Sequence, residues 1–433
     1  MTKRTYAAVL AALALLLAAS PLQAQSRDTD ALIRENPDRA AGVHHSYEYH
    51  PSADTPAPRG FKPFYVSHYG RHGSRRNLST TYSKAYEYLT KAHEAGILTP
   101  LGEEALADVT KVYKQHEEMV GDLTALGGRE HRGIAERLYK RVPKVFRQRT
   151  EVDVQSSNIP RCLISMANFT ASLDDCAPQL KFTFVTGDKY IHLLAHDYYT
   201  KPGANGRRLQ DSLLKADFDP TRLMESLFKG TGSQIAAVID DPLKFSEQLY
   251  YTGSIDQCVE AGADIFGKYF TIEELIIQYK CYNARCYNNM ANSAAYGDAV
   301  IWAPAQGLMQ DIIARADAAI AEGSNRAADL RFGHDTGILP LAGLMGLKGP
   351  GDRMRAEDIV GRWESFERVP MASNLQMIFY RNRKGEVLVK FLYNEQETLI
   401  DGLAPLTGPY YRWSDAKGFF ERRIEQINKT FAE

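Results

Sequence analysis

An apolar run from Phe64 to Val66 feeds into a loop that sets two arginines around a histidine, and this junction constrains the chain more than any other stretch. Residues 64–77 read FYVSHYGRHGSRRN. The run has the character of a buried strand, Gly70 and Gly73 mark a turn, and a helical pattern resumes after Ser79 and Thr80. Open α/β sheets hold their sites outside the carboxyl ends of strands, where this loop would lie. Within RHGSR, Arg71 and Arg75 flank His72. Guanidiniums present planar donor forks that suit a phosphate dianion, and an unprotonated imidazole between them can attack phosphorus. Arg, His and Gly together also build ordinary solvated turns. A chance RHGxR is expected in about one chain of this length in several hundred, so the loop needs partners elsewhere before it means chemistry.

The N-terminus bears on the compartment. Lys3 and Arg4 precede an uncharged apolar run from Tyr6 to Ala19, and Leu22-Gln23-Ala24 offers a small-residue cleavage site, the pattern of a secretory leader over residues 1–24. The run is too short for a membrane span and no second one follows. Gln25, not Cys, follows the proposed cut, which argues against a lipid anchor. The expectation is a soluble exported protein, periplasmic or secreted. Loss of Lys3 and Arg4 with the leader takes the net charge from -1 to -3, which gives no reason to expect nucleic acid or a membrane surface as partner. Five cysteines are too few for a disulfide scaffold, and Cys281 with Cys286 lacks a second ligand pair, so no metal site is expected.

At 433 residues the chain can bury a large core in two lobes. Residues 25–60 are polar and broken by Pro37, Pro51, Pro56 and Pro58, and read as a solvated leading arm that carries His44, His45 and His50. Helical patterns follow over Thr81–Ala95, Leu101–Met119 and Leu126–Val145, long enough to cover a sheet. Val152 to Val154 is a second strand, after which Arg161 stands behind Pro160 at a helix start. Such a start points backbone donors at an anion, although an arginine there also fits a plain surface residue. Phe182 to Val185 is a third strand. From Gly187 to Gly297 strand signals fade and helical stretches alternate with breaks, an inserted helical lobe whose Lys201, Arg207, Arg208 and Lys215 could face a polyanion or simply solvent. A further strand, Ala328 to Phe332, leads into GHDTGILPLAGLMGL, with His334 and Asp335 at its end. Asp335 there could be a proton donor or a helix cap. Leu375–Phe379 and Val387–Tyr393, joined by RNRKG, predict an edge hairpin, and a final helix begins near Ser414.

RHGSR after the first core strand, Arg161 before a helix and GHDT after a late strand together resemble the histidine acid phosphatases, the branch of the histidine phosphatase superfamily that holds phytases and multiple inositol polyphosphate phosphatases. The likeness spans most of the mature chain, since Leu123–Ala135, Ser156–Phe169, GHDT and Val389–Glu395 occur in family order. The resemblance implies an α/β fold of phosphoglycerate mutase-like kind, a central mostly parallel sheet flanked by helices, with an inserted α-helical lobe. The core would be residues 25–186 and 298–433, and the lobe 187–297. It further implies His72 as nucleophile, Arg71, Arg75, Arg161 and His334 as phosphate clamp, Asp335 as proton donor, and no cofactor or metal. Asn77 stands where many members have Pro, and HD stands where inositol polyphosphate phosphatases often carry HAE.

The chemistry matches the residue types. Phosphoryl transfer spreads charge over nonbridging oxygens, so cationic donors and positioning carry most of the catalysis. Neighbouring positive charge keeps an imidazole unprotonated, and a carboxyl near phosphate should be raised and protonated. The expectation is an exported acid phosphatase acting on a small phosphorylated substrate, phytate first among them, through a covalent phosphohistidine. Sugar-phosphate and nonspecific acid phosphatases are alternatives, as is a phosphate-ligand binding protein with little turnover.

Overall fold

The computed structural model describes residues 28–78, 81–117, 119–194 and 202–432. The leader, Ser79, Thr80 and Lys201 lie outside them. Eight strands form one sheet: β1 (Lys62–Arg71), β2 (Glu151–Ser156), β3 (Lys181–Val185), β4 (Arg326–Gly333), β5 (Asn374–Arg381), β6 (Val387–Tyr393), β7 (Gln396–Thr398) and β8 (Tyr410–Arg412). Their order is β3-β2-β4-β1-β5-β6-β7, with β8 also on β6. The first four are mutually parallel, while β5 runs against β1 and β6 against β5, which gives the expected mostly parallel sheet with its hairpin.

Burial explains the composition of the central strands. β4 is covered on both sides, so its apolar residues sort by alternation: Ala328, Leu330 and Phe332 face one core, while Asp329 and Arg331 face the other. Those charges are tolerated because they are paired, Arg331 with Asp311 at 2.8 Å and Asp329 with Arg315 and Arg326 at 3.0 Å. The Leu330 face packs under helices Ala125–Arg141 and Pro160–Cys176 through Ile134, Leu138, Phe169 and Leu173. The opposite face, with Tyr65, Tyr69 and Phe379, packs under Gln306–Ile320, Asp335–Met345 and Trp413–Ala432.

Several expectations are corrected. β1 runs through Gly70 to Arg71, so Gly70 is strand, not turn. The helical pattern over Leu126–Val145 is two helices, Ala125–Arg141 and Pro143–Gln148, since Pro143 cannot continue the first. Thr81–Glu94 and Pro100–Lys114 do not cover the sheet. They pack against helices of residues 202–290: Tyr88 meets Phe245 edge-on at 6.0 Å, Leu98 bridges Phe228, and the Asp108 carboxylate accepts from Lys268 and from the Tyr269 hydroxyl at 2.7 Å each. Amphipathicity says that a helix has a buried face, not what buries it. Among the described residues no strand occurs between β3 and β4, where the elements are helices, Asp188–Leu194 and then a series from Pro202–Asp217 to Ile272–Met290 and beyond.

The leading arm is only partly solvated: residues 49–60 are largely exposed, but the stretch before them is not. Residues Pro37–His44 form a tight helical segment whose Ala40, Ala41 and Val43 are buried against Pro242–Val259 and Ile272–Met290, and His45 is buried with them. Of the three arm histidines, His50 alone is well exposed. All five cysteines are free thiols, four of them buried.

Candidate active site

Strand register brings the scattered motifs to one edge. Arg71 pairs with Gly333 across β1 and β4, and Ser156 pairs with Phe332 across β2 and β4, so three neighbouring parallel strands end together. Each delivers its next residues to the same place: His72 after β1, Ser157 to Arg161 after β2, and His334 with Asp335 after β4. β5 runs the other way, so the segment entering it backs the loop. Arg71 N donates to Ser373 O at 2.8 Å, and Ala372 N donates to His72 O at 2.9 Å.

His72 is buried and its ring orientation is fixed. Nδ1 lies 3.0 Å from the Gly73 carbonyl, which can only accept, so Nδ1 carries the proton and Nε2 presents a lone pair. Burial first, then Arg161, Arg71 and Arg75, hold its pKa well below the ordinary histidine value, which keeps the ring neutral in mild acid. The His334 ring meets it nearly perpendicular, with centroids 5.4 Å apart.

Three arginines converge on this ring. Arg71 is fully buried and anchored through Nη1 to the Val43 and Val369 carbonyls at 2.7 and 2.6 Å, while Nη2 lies 3.0 Å from Asp335 Oδ2. Arg75 donates to Arg76 O at 2.8 Å, and Arg161 Nη2 lies 3.3 Å from His334 Nδ1. The crowding registers on Arg75, which burial, Arg161 and Arg71 push down to about 9. Arg71 Nε, Arg75 Nε and Arg161 Nε are buried and make no hydrogen bond within the protein, and Arg71 Nη2 has its ion pair with Asp335. Buried guanidinium donors left this way are costly, and three arginines that all act on His72 suit a multidentate anion.

Asp335 opens the helix Asp335–Met345, with Oδ1 accepting from Thr336 N at 2.9 Å. Burial pushes its carboxyl up, but Arg71, His334 and Arg75 outweigh burial and leave it below the usual range. The expectation of a raised, protonated Asp335 concerns a carboxyl beside bound phosphate; in the free protein the Arg71 guanidinium at 3.0 Å favours the carboxylate.

The supports of the loop lay outside the sequence reading. Glu130, buried, accepts from Ser74 N at 2.6 Å and Ser74 Oγ at 2.7 Å, and from Tyr47 N at 2.9 Å. Ser165 Oγ accepts from Gly73 N at 3.1 Å. Gly73 and Gly127 stand back to back: a Cβ on Gly73 would sit 2.5 Å from Gly127 O, and one on Gly127 would sit 2.3 Å from Ser74 O. Both glycines are there for close approach, not for a turn. Asn77 N donates to His116 Nε2 at 2.8 Å, a bond that Pro at this position could not make.

A cavity of about 320 Å³ opens beside these groups. Arg75, Asp335 and His44 line it together with Arg207, Lys244 and Arg285. Arg207 and Lys244 share the buried Glu247 carboxylate at 2.7 and 2.5 Å, whereas Arg285 bonds the neutral Gln210 Oε1 and Tyr251 hydroxyl at 3.1 Å each. Of the basic cluster foreseen in the insert, Arg207 lines this cavity and Arg208 and Lys215 do not; Lys244 and Arg285 had no sequence signal. Among the described residues there is no cluster of His, Cys, Asp and Glu fit for a metal ion, and no helix is long and apolar enough to cross a membrane.

No protein-family model matches this sequence, and no curated protein does. Solved structures do match in fold. The multiple inositol polyphosphate phosphatase of Bifidobacterium longum, solved in complex with inositol hexasulfate, superposes with a TM-score of 0.72 at 19% identity, covering 88% of this chain and 97% of the other. The phytase from D. castellii gives 0.68 at 15% identity over 94% of this chain and 88% of the other. The Hafnia alvei phytase gives 0.52 at 15% identity over 86% and 99%. At these identities the likeness is one of fold: an α/β sheet with helices on both faces and a large helical portion.

Proposed function

We propose that this chain is an acid phosphomonoesterase that works through a phosphohistidine on His72, with inositol polyphosphates such as phytate as its substrates. The observation that carries the reading is the fixed ring of His72, whose Nε2 lone pair stands among the guanidiniums of Arg71, Arg75 and Arg161 where three strands end. Nε2 attacks phosphorus as the P–O bond to the alcohol breaks, and Asp335 gives the leaving oxygen its proton. A water then attacks the phosphohistidine, the Asp335 carboxylate takes the water's proton, and the P–N bond breaks. The clamp of Arg71, Arg75, Arg161 and His334 neutralises the oxygens throughout, leaving no step that calls for a metal.

Asp335 starts as a carboxylate beside Arg71, so its proton comes with the substrate. Below about pH 6 a phosphomonoester is largely a monoanion, and that proton can pass to Asp335 while the oxygens take over the guanidiniums. The substrate class rests on this cavity, where Arg207, Lys244 and Arg285 line the same space as Arg75 and Asp335 and suit further phosphates on one molecule. These cations come from residues 187–297, which we read as an inserted lobe facing the core. The apolar leader before Gln25 supports export to the periplasm or medium.

Trapping with a radiolabelled phosphomonoester, quenched in alkaline denaturant, tests the mechanism: the parent protein retains protein-bound label that is stable to base and lost in acid, and His72→Ala retains none. Label surviving that substitution removes His72 as nucleophile. For the substrate, Arg285→Ala should raise KM for phytate about tenfold and leave p-nitrophenyl phosphate within about twofold. Equal effects on both would refute the polyphosphate reading.

A further inference from the structure

We propose that Ser157 is a positioning residue for His334, its hydroxyl accepting from or donating to ring Nε2, so that His334 meets phosphate as a neutral Nδ1–H donor. The inference rests on the phosphatase reading above. Ser157 is buried directly after β2, and its N donates to Phe332 O at 3.1 Å, which fixes it beside the end of β4. Its Oγ lies 3.2 Å from His334 Nε2, with Cys162 Sγ at 3.4 Å. On the other side of the ring, Arg161 Nη2 lies 3.3 Å from Nδ1. Arginine only donates, so Nδ1 accepts and the ring proton sits on Nε2, pointing at Ser157.

This arrangement fits the free protein and conflicts with the bound one. Once Arg161 turns its donors to a phosphate, Nδ1 would face anionic oxygens with a lone pair. One remedy is to protonate the ring fully. The groups facing His334 oppose that: Arg161 from the helix Pro160–Cys176, and Arg71, His72 and Arg75 from β1 and its loop, with the Cys162 thiol and Tyr69 hydroxyl neutral and Asp335 the one acid. Burial and Arg161 already push the His334 pKa down to about 3. The other remedy is a change of tautomer. The Nε2 proton leaves to water, Nδ1 gains one from hydronium, the monoanion's own proton being the one that passes to Asp335, and the ring keeps a single N–H. A hydroxyl serves both states, since Ser157 can rotate its own proton toward Nε2. The Cys162 thiol, a weaker donor that already points at the Gly333 carbonyl at 3.2 Å, is a poor substitute.

The test titrates inorganic phosphate into the full-length parent, Ser157→Ala and Ser157→Thr by calorimetry from pH 4.5 to 7, with nitrogen-15 NMR of the parent's histidine rings. We expect the His334 N–H to move from Nε2 to Nδ1 when phosphate binds, with the ring neutral in both states. Ser157→Ala must donate as an imidazolium, so its phosphate affinity should fall about tenfold per pH unit beyond the parent's own dependence, and Ser157→Thr should restore the parental profile. An imidazolium signature in the phosphate-bound parent, or an unchanged profile in Ser157→Ala, overturns the inference. Should the parent not bind phosphate at all, the phosphatase reading falls first and this one with it; should it bind while the variant's profile is parental, only this one falls.

Discussion

Gly127→Ala places one methyl group on a helix, far from any reacting atom, and should disable the protein. The Cβ would lie 2.3 Å from Ser74 O and 2.7 Å from Ser74 N, against an ordinary contact of 3.4 Å or more, so helix and loop must part by about 1 Å. Both atoms are backbone, so no rotamer change relieves the clash. The loop cannot yield freely, because Glu130 on the same helix holds Ser74 by two bonds of 2.6 and 2.7 Å. The displacement therefore passes to His72 and Arg75, which bracket Ser74. Misplacing catalytic groups by about 1 Å costs on the order of 100-fold in rate, so kcat/KM on p-nitrophenyl phosphate should fall by about that factor. Helix propensity acts in the opposite direction, favouring Ala by up to about 1 kcal/mol, so the melting temperature should move far less than the activity. Gly128→Ala is the control: its Cβ meets only the Asn168 amide, at 3.1 Å, and a side chain can turn away. Kinetics and thermal melts of the two variants decide the matter. A Gly127→Ala protein with kcat/KM within twofold of the parent would refute the argument that back-to-back glycines set the loop.

Asp335→Asn should lose about 10²- to 10⁴-fold on inositol phosphates and much less on p-nitrophenyl phosphate, whose leaving group needs less protonation; equal losses would count against an acid role. The alkaline limb of kcat/KM should follow the substrate's second phosphate ionisation, near pH 6, and shift when a substrate with a different second ionisation is used; a limb indifferent to substrate would contradict proton delivery by the monoanion. His68, buried against Phe169 and Phe332, has its pKa pushed down to about 3 by burial first, then His131 and Arg331. Its folded value lies below the unfolded value near 6.5, so the unfolded chain binds the extra proton. Stability should therefore fall by about 1.4 kcal/mol per unit as pH drops from about 6.5 toward 3. His68→Leu should flatten that slope by about one proton in urea titrations at pH 4.5, 5.5 and 6.5; parallel slopes would show that His68 does not titrate in that window.

The legible parts of this chain are those whose chemistry is local. RHGSR, the arginine behind Pro160 and HD are short, and each follows an apolar run that marks a strand end, so the sheet could be inferred along with what its strands deliver. What sequence withheld is the identity of nonlocal neighbours. Gly127 and Glu130 looked like helix residues with no stated purpose, because their partner Ser74 lies more than fifty positions away. The arm was misread because Pro-rich polarity around it hid Ala40, Ala41 and Val43, small residues that fit between helices from elsewhere. Arg285 sits in a helix of ordinary composition, and only packing turns it toward the cavity. The protonation of Asp335 in the free protein was not legible for the same reason: a carboxyl beside a phosphate and a carboxyl beside Arg71 respond oppositely, and the second neighbour is set by register between β1 and β4.

That contrast points to how the site would work. In the free protein three guanidiniums crowd two neutral imidazoles, and Asp335 is the carboxylate that touches the clamp. An arriving phosphate competes with Asp335 for Arg71, so binding weakens the interaction that holds the carboxyl below its usual range. Burial, which acts on Asp335 in the opposite direction, then prevails and favours its protonated form. On the function proposed above, proton donor and phosphate clamp would thereby be coupled through one arginine: Asp335 would become an acid when the group it must serve is in place, and revert to a carboxylate able to activate water as the alcohol leaves. An Arg71 that only bound phosphate would need no contact with Asp335. Its 3.0 Å approach to Oδ2, together with an Nη1 tied to two carbonyls, fits a residue that relays occupancy of the clamp to the proton donor.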